Sequence, residues 1–161
     1  MDVKEAVNKV LNSDIFKNWD KKDNYLVSCV FIDDHWNVDF YSKKSKRVTS
    51  FAAGNKIKIS KEDKVFQDEI KDLEELKLNS VKVSLDEADE IVNLRMKEMA
   101  GAEDVSKAII ILQQLKVPMW NLSYITSAFN VMNVKINAIN KKIIEESFSP
   151  VFSFRKDVDQ P

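Results

Sequence analysis

Cysteine and histidine are almost missing from this chain: Cys29 and His35 are the only ones in 161 residues. One cysteine cannot close an intrachain disulfide, which fits a reducing compartment. The pair also falls short of a Cys/His zinc site. The acidic residues follow helix and linker patterns rather than an EF-hand loop, so neither a metal nor a cofactor is expected. Glycine is nearly as scarce. Gly54 and Gly101 stand alone, which excludes the P-loop and the dinucleotide fingerprint. Long hydrophobic runs are lacking too. The longest, AIIIL (Ala108 to Leu112), is far too short for a membrane span. Nor does one sign of charge dominate. The formal net charge of -1 gives no whole-chain attraction to nucleic acid, so no nucleic-acid partner is expected. The N-terminal MDVKEAVNKV has no basic segment followed by an apolar one. The expectation is a cytoplasmic protein if the chain is full-length, and an extracytoplasmic one if it is trimmed from an exported precursor.

What is present is a chain 44% hydrophobic and 32% charged, able to bury a core and stay in solution. Its length fits one ordinary domain, or two small ones sharing a core. Val3, Ala6, Val7, Val10, Leu11 and Ile15 recur at three- and four-residue spacing. That predicts a helix from Asp2 to about Trp19, capped by Asp2. After the polar break DKKDN, YLVSCVFI (Tyr25 to Ile32) and WNVDFYS (Trp36 to Ser42) alternate as strands. A two-residue turn at Asp33-Asp34 sets Phe31 opposite Trp36, Cys29 opposite Val38 and Val27 opposite Phe40, which makes one face wholly apolar. RVTSFAA (Arg47 to Ala53) and KIKIS (Lys56 to Ser60) continue the alternation. Lys61 to Ser80 reads as a charged connector, with the acidic stretch Glu62 to Glu75 as a solvated linker.

The second half begins again with a helix. SLDEADEIVNLRMKEM (Ser84 to Met99) opens on an S-x-x-E capping box, Ser84 with Glu87. It carries the stripe Leu85, Ala88, Val92, Met96 and Met99, and stops before Gly101. The isoleucine run in KAIIILQQL (Lys107 to Leu115) favours a strand over a short helix. MWNLSYIT, VMNVKINA and KIIEESFS read as further antiparallel strands. Trp120, Leu122 and Tyr124 share one face, paired with Met132, Val134, Ile136 and Ala138. The final RKDVDQP reads as a frayed tail. The expected fold class is α+β: two layers, with helices packed on antiparallel β-sheet, in two pseudo-repeated α-β-β-β units. Residues 1–60 form the first unit, 61–80 the connector, 81–154 the second unit and 155–161 the tail. Two alignments relate the halves, NVDFYSKKSKRV with NVKINAINKKII and WNVDFY with WNLSYI. The first is preferred because it covers a whole hairpin.

Three stretches carry a family resemblance. VSLDEADEIV, PMWNLSYIT and VKINAINKKII resemble the helix opening, central strand and hairpin of PepSY-type domains, in the broader cystatin-like group of folds. In that family the hairpin is usually V-x-I-D-A-x-T-G-x-I. Here Asn137 stands at the aspartate, and Asn140-Lys141 lie near the threonine-glycine. Asparagine tolerates left-handed backbone, so it is expected to make the turn. The resemblance covers Lys82 to about Phe154, and Asp2 to Ser60 as a weaker repeat. It implies non-enzymatic roles: peptidase propeptides, inhibitory or regulatory modules, and binding domains of envelope proteins. It supplies no catalytic residue.

Site candidates follow from the same reading. Cys29 and His35 fall on opposite faces of their hairpin, so they do not form a nucleophile–base pair, and no catalytic residue is expected. Trp36, Trp120 and Tyr124 are candidates to line a pocket between helix and sheet, or else core aromatics. The basic turn Lys43, Lys44, Lys46 and Arg47 is either a partner-binding tip or a solvated one. Phe148, Pro150, Phe152 and Phe154 share one face if SFSPVFSF continues as a strand. They either close the core against Met96 and Met99, or form an edge that docks a protein or peptide, including a second copy of this chain. The leading expectation is a non-enzymatic binding or regulatory module with a protein partner. The alternative is a carrier or enzyme for a small apolar molecule, using a cavity between helix and curved sheet.

Overall fold

Alternating stretches become strands throughout the chain. In the computed structural model, which describes residues 1–60, 63–64 and 71–152, they join one antiparallel sheet. Its strands are β1 (Asn24–Ile32), β2 (His35–Ser42), β3 (Arg47–Ala53), β4 (Ile57–Ile59), β5 (Asp63–Lys64), β6 (Val105–Leu115), β7 (Val117–Thr126), β8 (Asn130–Asn137) and β9 (Ile143–Pro150). The order is β4-β3-β2-β1-β6-β7-β8-β9, with β5 paired to β3. The two halves meet where β1 pairs with β6, from Ser28↔Gln113 to Phe31↔Ile110. Helices α1 (Val3–Leu11), α2 (Asp14–Asn18) and α3 (Leu85–Ala100) lie on one face. The fold class is thus α+β on a single antiparallel sheet.

The β1–β2 register follows the sequence up to one irregularity. Ile32↔His35, Phe31↔Trp36 and Cys29↔Val38 are paired as expected. Asp33 and Asp34 both take positive φ, 50° and 64°, the backbone of a two-residue hairpin that matches strand twist. Val27 does not face Phe40, however. A bulge inserts it between Leu26↔Phe40 and Ser28↔Asp39, so Leu26 takes the core position. Beyond that bulge Tyr25 and Tyr41 turn to the face opposite the helices.

The expected single N-terminal helix is two. Ser13 is extended (φ -75°, ψ 149°) and its hydroxyl accepts from Phe16 N–H, so a second cap interrupts the first helix. The break swings Phe16 into the core, with its ring 5.0 Å from Phe40 and 5.4 Å from Phe51. Leu11 and Ile15, expected on the buried stripe, are exposed. On α3 the capping box of Ser84 and Glu87 is formed. Ala88, Val92 and Met96 are buried and Ile91 packs against the core, but Met99 is exposed.

Two tryptophans tie the layers together in the same way. Trp36 Nε1 donates to Met1 O at 3.2 Å, and Trp120 Nε1 to Val83 O at 2.9 Å. Met1 and Val83 each precede the N-cap of a helix with a capping box, Asp2 with Glu5 and Ser84 with Glu87. Each tryptophan lies on the second long strand after its helix. The WNVDFY–WNLSYI alignment superimposes these features. The hairpin alignment preferred from sequence lays β2 on β8, where no tryptophan stands.

The scarcity of glycine has a conformational cost. Asp23, Lys46, Lys116, Phe129 and Lys141 all take positive φ, where glycine is favoured. At the β8–β9 turn the left-handed residue is Lys141 (φ 67°) rather than Asn140. The asparagines act through side chains instead. Asn137 Oδ1 accepts from Ile139 and Asn140 N–H, and Asn140 Oδ1 from Lys142 N–H. At the β7–β8 turn Phe129 (φ 60°) is 64% exposed, so its ring contributes little burial. Phe129→Gly is expected to stabilise the fold by about 1 kcal/mol, a rise of roughly 2–4 °C in melting temperature. An unchanged or lower value in a thermal melt would show that the ring stabilises the turn.

Candidate functional site

Among the described residues, four connections at one end of the sheet carry lysine. Lys21 and Lys22 lead into β1, Lys43, Lys44 and Lys46 join β2 to β3, Lys116 joins β6 to β7, and Lys141 and Lys142 join β8 to β9. The opposite end holds the Asp33-Asp34 turn and Glu103-Asp104 ahead of β6. The antiparallel topology thus gathers lysines from distant connections at one end, although the opposite end also carries Lys56 and Lys107.

Across the basic end runs the segment 71–80, expected from sequence to be a connector. Residues 65–70 lie outside the described residues, but 71–80 is tied down at several points. Leu76 is buried in the core cluster and its N–H donates to Leu26 O at 2.8 Å. Tyr25 OH donates to Leu73 O at 2.6 Å, and Tyr41 OH to Asp72 Oδ1 at 3.0 Å. Lys46 pairs with the same Asp72 carboxylate. Glu74 accepts from the Lys116 backbone N–H at 2.9 Å. The described part of the expected linker is thus a strap anchored at several points, while its acidic residues Asp72, Glu74 and Glu75 remain exposed.

Strap and turns enclose an open cleft of about 1130 Å³. Tyr25, Leu73, Val117, Pro118 and Ile139 supply apolar and aromatic surface, and Lys43, Lys44, Lys77 and Lys116 supply cations. Asp23, Asp72, Glu74 and Glu75 also line it. Lys43 Nζ lies 5.7 Å from the centre of the Tyr25 ring, within cation–π range. Lys46 and Tyr41 hold the Asp72 carboxyl below the usual range by direct hydrogen bonds. Burial, then the Asp72 charge, pushes the Tyr25 phenol up; burial and the hydrogen bond to Asp72 do the same for Tyr41. Both tyrosines are therefore neutral hydrogen-bond donors at neutral pH.

The residues singled out from sequence scatter. Lys43 and Lys44 line the cleft, Lys46 is committed to Asp72, and Arg47 starts β3 half-buried opposite Ser42. Trp36, Trp120 and Tyr124 are buried in the core cluster, with the two indoles 6.3 Å apart, and Tyr124 OH donates to Asp89 on α3. Phe148 packs on the core beside Met132. The strand ends at Pro150, where the Val151 N–H turns back to Phe129 O at 2.7 Å. Phe152, 68% exposed, is thus not on a continuing strand face. Phe154 and the tail 155–161 lie outside the described residues. Cys29 is buried on the helix-covered face, and burial, with the nearby Asp39 charge, pushes its thiol well up. His35 flanks the turn on the other face. Among the described residues no three His, Cys, Asp or Glu side chains are grouped to hold a metal, and no helix is long and apolar enough to cross a membrane.

Sequence reasoning missed Tyr25, Lys77, Lys116 and the strap. Lysine at successive turns was the available signal, but only the strand order places those turns side by side.

No protein-family model matches the chain, and no curated protein matches it. Among solved structures, the fold is similar to that of a putative lipoprotein from Clostridium difficile 630, with a TM-score of 0.60 and 18% sequence identity. The match covers 92% of this chain and 93% of that one. At this identity the likeness establishes the shared fold alone, an α+β architecture on an antiparallel sheet.

Proposed function

We propose that this chain is a non-enzymatic binding module, built as a tandem of two PepSY-like units, that engages a macromolecular partner at the strap-bounded cleft. The observation that carries the reading is the cleft itself. It is larger than the roughly 300–1,000 Å³ of most small-molecule pockets, and it is open along one side. Its lining is split between apolar surface and charge, as in protein recognition sites. The paired tryptophan–helix contacts support the tandem. The apolar-carrier reading has less support, because aromatic side chains occupy the layer between helices and sheet. The lipoprotein neighbour favours the exported one of the two settings expected from sequence.

A photo-reactive amino acid at Ile139, which is exposed in the cleft, tests the role in the native cell. Irradiation is expected to give discrete high-mass adducts that are absent when the probe replaces Phe129 at the opposite end. Equal adducts from both positions, or none from Ile139, would remove the cleft as a binding site.

A further inference from the structure

We infer that the cleft receives an acidic polypeptide segment, a conclusion that rests on the binding role proposed above. The sign of the uncommitted charge leads to it. Asp72 is held by Lys46 and Tyr41, and Glu74 by the Lys116 backbone N–H. The protein thus already satisfies two of its own carboxylates in the cleft wall. The ammonium groups of Lys44, Lys77 and Lys116 have no hydrogen-bond or ion-pair partner among the described residues. Lys43 rests on Tyr25 and adds a further positive charge. Against these stand Asp23, Glu75 and also Glu74, whose charge a neutral backbone N–H leaves in place. Lys22 and Lys142, exposed in connections at the same end of the sheet, add to the positive field, which attracts an anionic ligand before contact.

The same geometry selects a polypeptide over other polyanions. A single-stranded nucleic acid needs free aromatic faces, but Lys43 lies over the Tyr25 ring and the Tyr41 ring meets it edge-on at 5.8 Å. A phosphate backbone offers no N–H donors to Asp23, Glu74 and Glu75. An anionic bilayer would meet a recessed site with the same carboxylates inside it. A peptide satisfies both signs, placing its own carboxylates on the lysines and backbone N–H groups on Asp23 and Glu75. Its apolar side chains cover Leu73, Pro118 and Ile139.

The test uses fluorescence anisotropy of the purified full chain with a labelled peptide of about twelve residues, alternating glutamate and leucine. Saturable binding that weakens with added salt is expected. The glutamine counterpart of the peptide should bind at least roughly tenfold more weakly, as should the Lys44→Glu/Lys116→Glu variant toward the acidic peptide. Lys56→Glu/Lys58→Glu, at the opposite end, should bind as the parent does. Circular dichroism melts check that both variants are folded. Absence of saturable binding to the acidic peptide overturns the inference. So do equal affinity for the two peptides, an unaffected Lys44→Glu/Lys116→Glu variant, or tighter binding to phosphatidylglycerol vesicles or to a single-stranded oligonucleotide. If cross-linking from Ile139 succeeds while this assay fails, the binding role stands and only the acidic class of partner falls.

Discussion

Trp120→Ala is expected to remove about 3–5 kcal/mol of folding stability, a large part of the roughly 5–15 kcal/mol that holds such a domain together. Two losses combine. The indole is fully buried among Trp36, the strand core and α3, so truncation opens a cavity that the close-packed surroundings fill only in part. The Val83 carbonyl also loses its donor just ahead of the α3 capping box, and an orphaned buried acceptor costs about 1–3 kcal/mol. Trp120→Phe separates the two, since it keeps most of the ring and loses the N–H. It is expected to cost about 2 kcal/mol. Urea unfolding followed by far-ultraviolet circular dichroism gives both numbers. An alanine variant within about 1 kcal/mol of the parent would show that this indole is not a keystone of the core.

The second large effect is a gain. Asp39 is buried on the face of the sheet opposite the helices, where its carboxylate accepts from Ser28 Oγ at 2.8 Å and from Ser50 Oγ. Burial pushes its pKa up, and the two hydroxyl donors recover only part of that. A carboxyl whose folded pKa lies above its unfolded value binds its proton more tightly when folded. Its stabilising contribution is full below the unfolded pKa of about 3.9 and is lost as pH rises through the raised folded value. Asp72, Glu87 and Glu146 are lowered, so they oppose this trend in the acid range, whereas Asp89 is raised and follows it. Asp39→Asn is expected to stabilise the protein at neutral pH by about 1 kcal/mol, or roughly 2–4 °C. The advantage should shrink as pH falls toward about 4. Melts across that range decide the matter. A variant less stable than the parent at neutral pH would mean that the ionised form is favoured in the fold.

Much of this architecture was legible where a local rule operates alone. Alternation identified the strands because side chains on one face of a sheet recur every second residue. The capping box at Ser84 was visible because both partners lie within four residues. Failures came where a tertiary demand overrode the local pattern. Nothing near Val27 announces a bulge, and Ser13 ends a helix whose apolar spacing continues to Ile15. Met99 keeps the helical period but lies beyond the reach of the core. The strap reads as polar linker because its anchors, Leu73 and Leu76, are sparse, and what they meet is on β1. The cleft was the least legible feature. Its lysines come from turns far apart in sequence, and a nearly neutral total conceals them.

Cys29 lies at the seam between the halves, opposite Leu112 on β6 and Val38 on β2, with no exposed surface. A thiol reagent in solution meets it only when β1 parts from its neighbours or the helical layer lifts. As the chain's one sulfhydryl, it labels without ambiguity. Where reclosure outruns the reagent, the labelling rate reports the equilibrium for opening this seam rather than for fraying at the edges. The protein thus contains its own stopwatch, set in the pairing of β1 with β6.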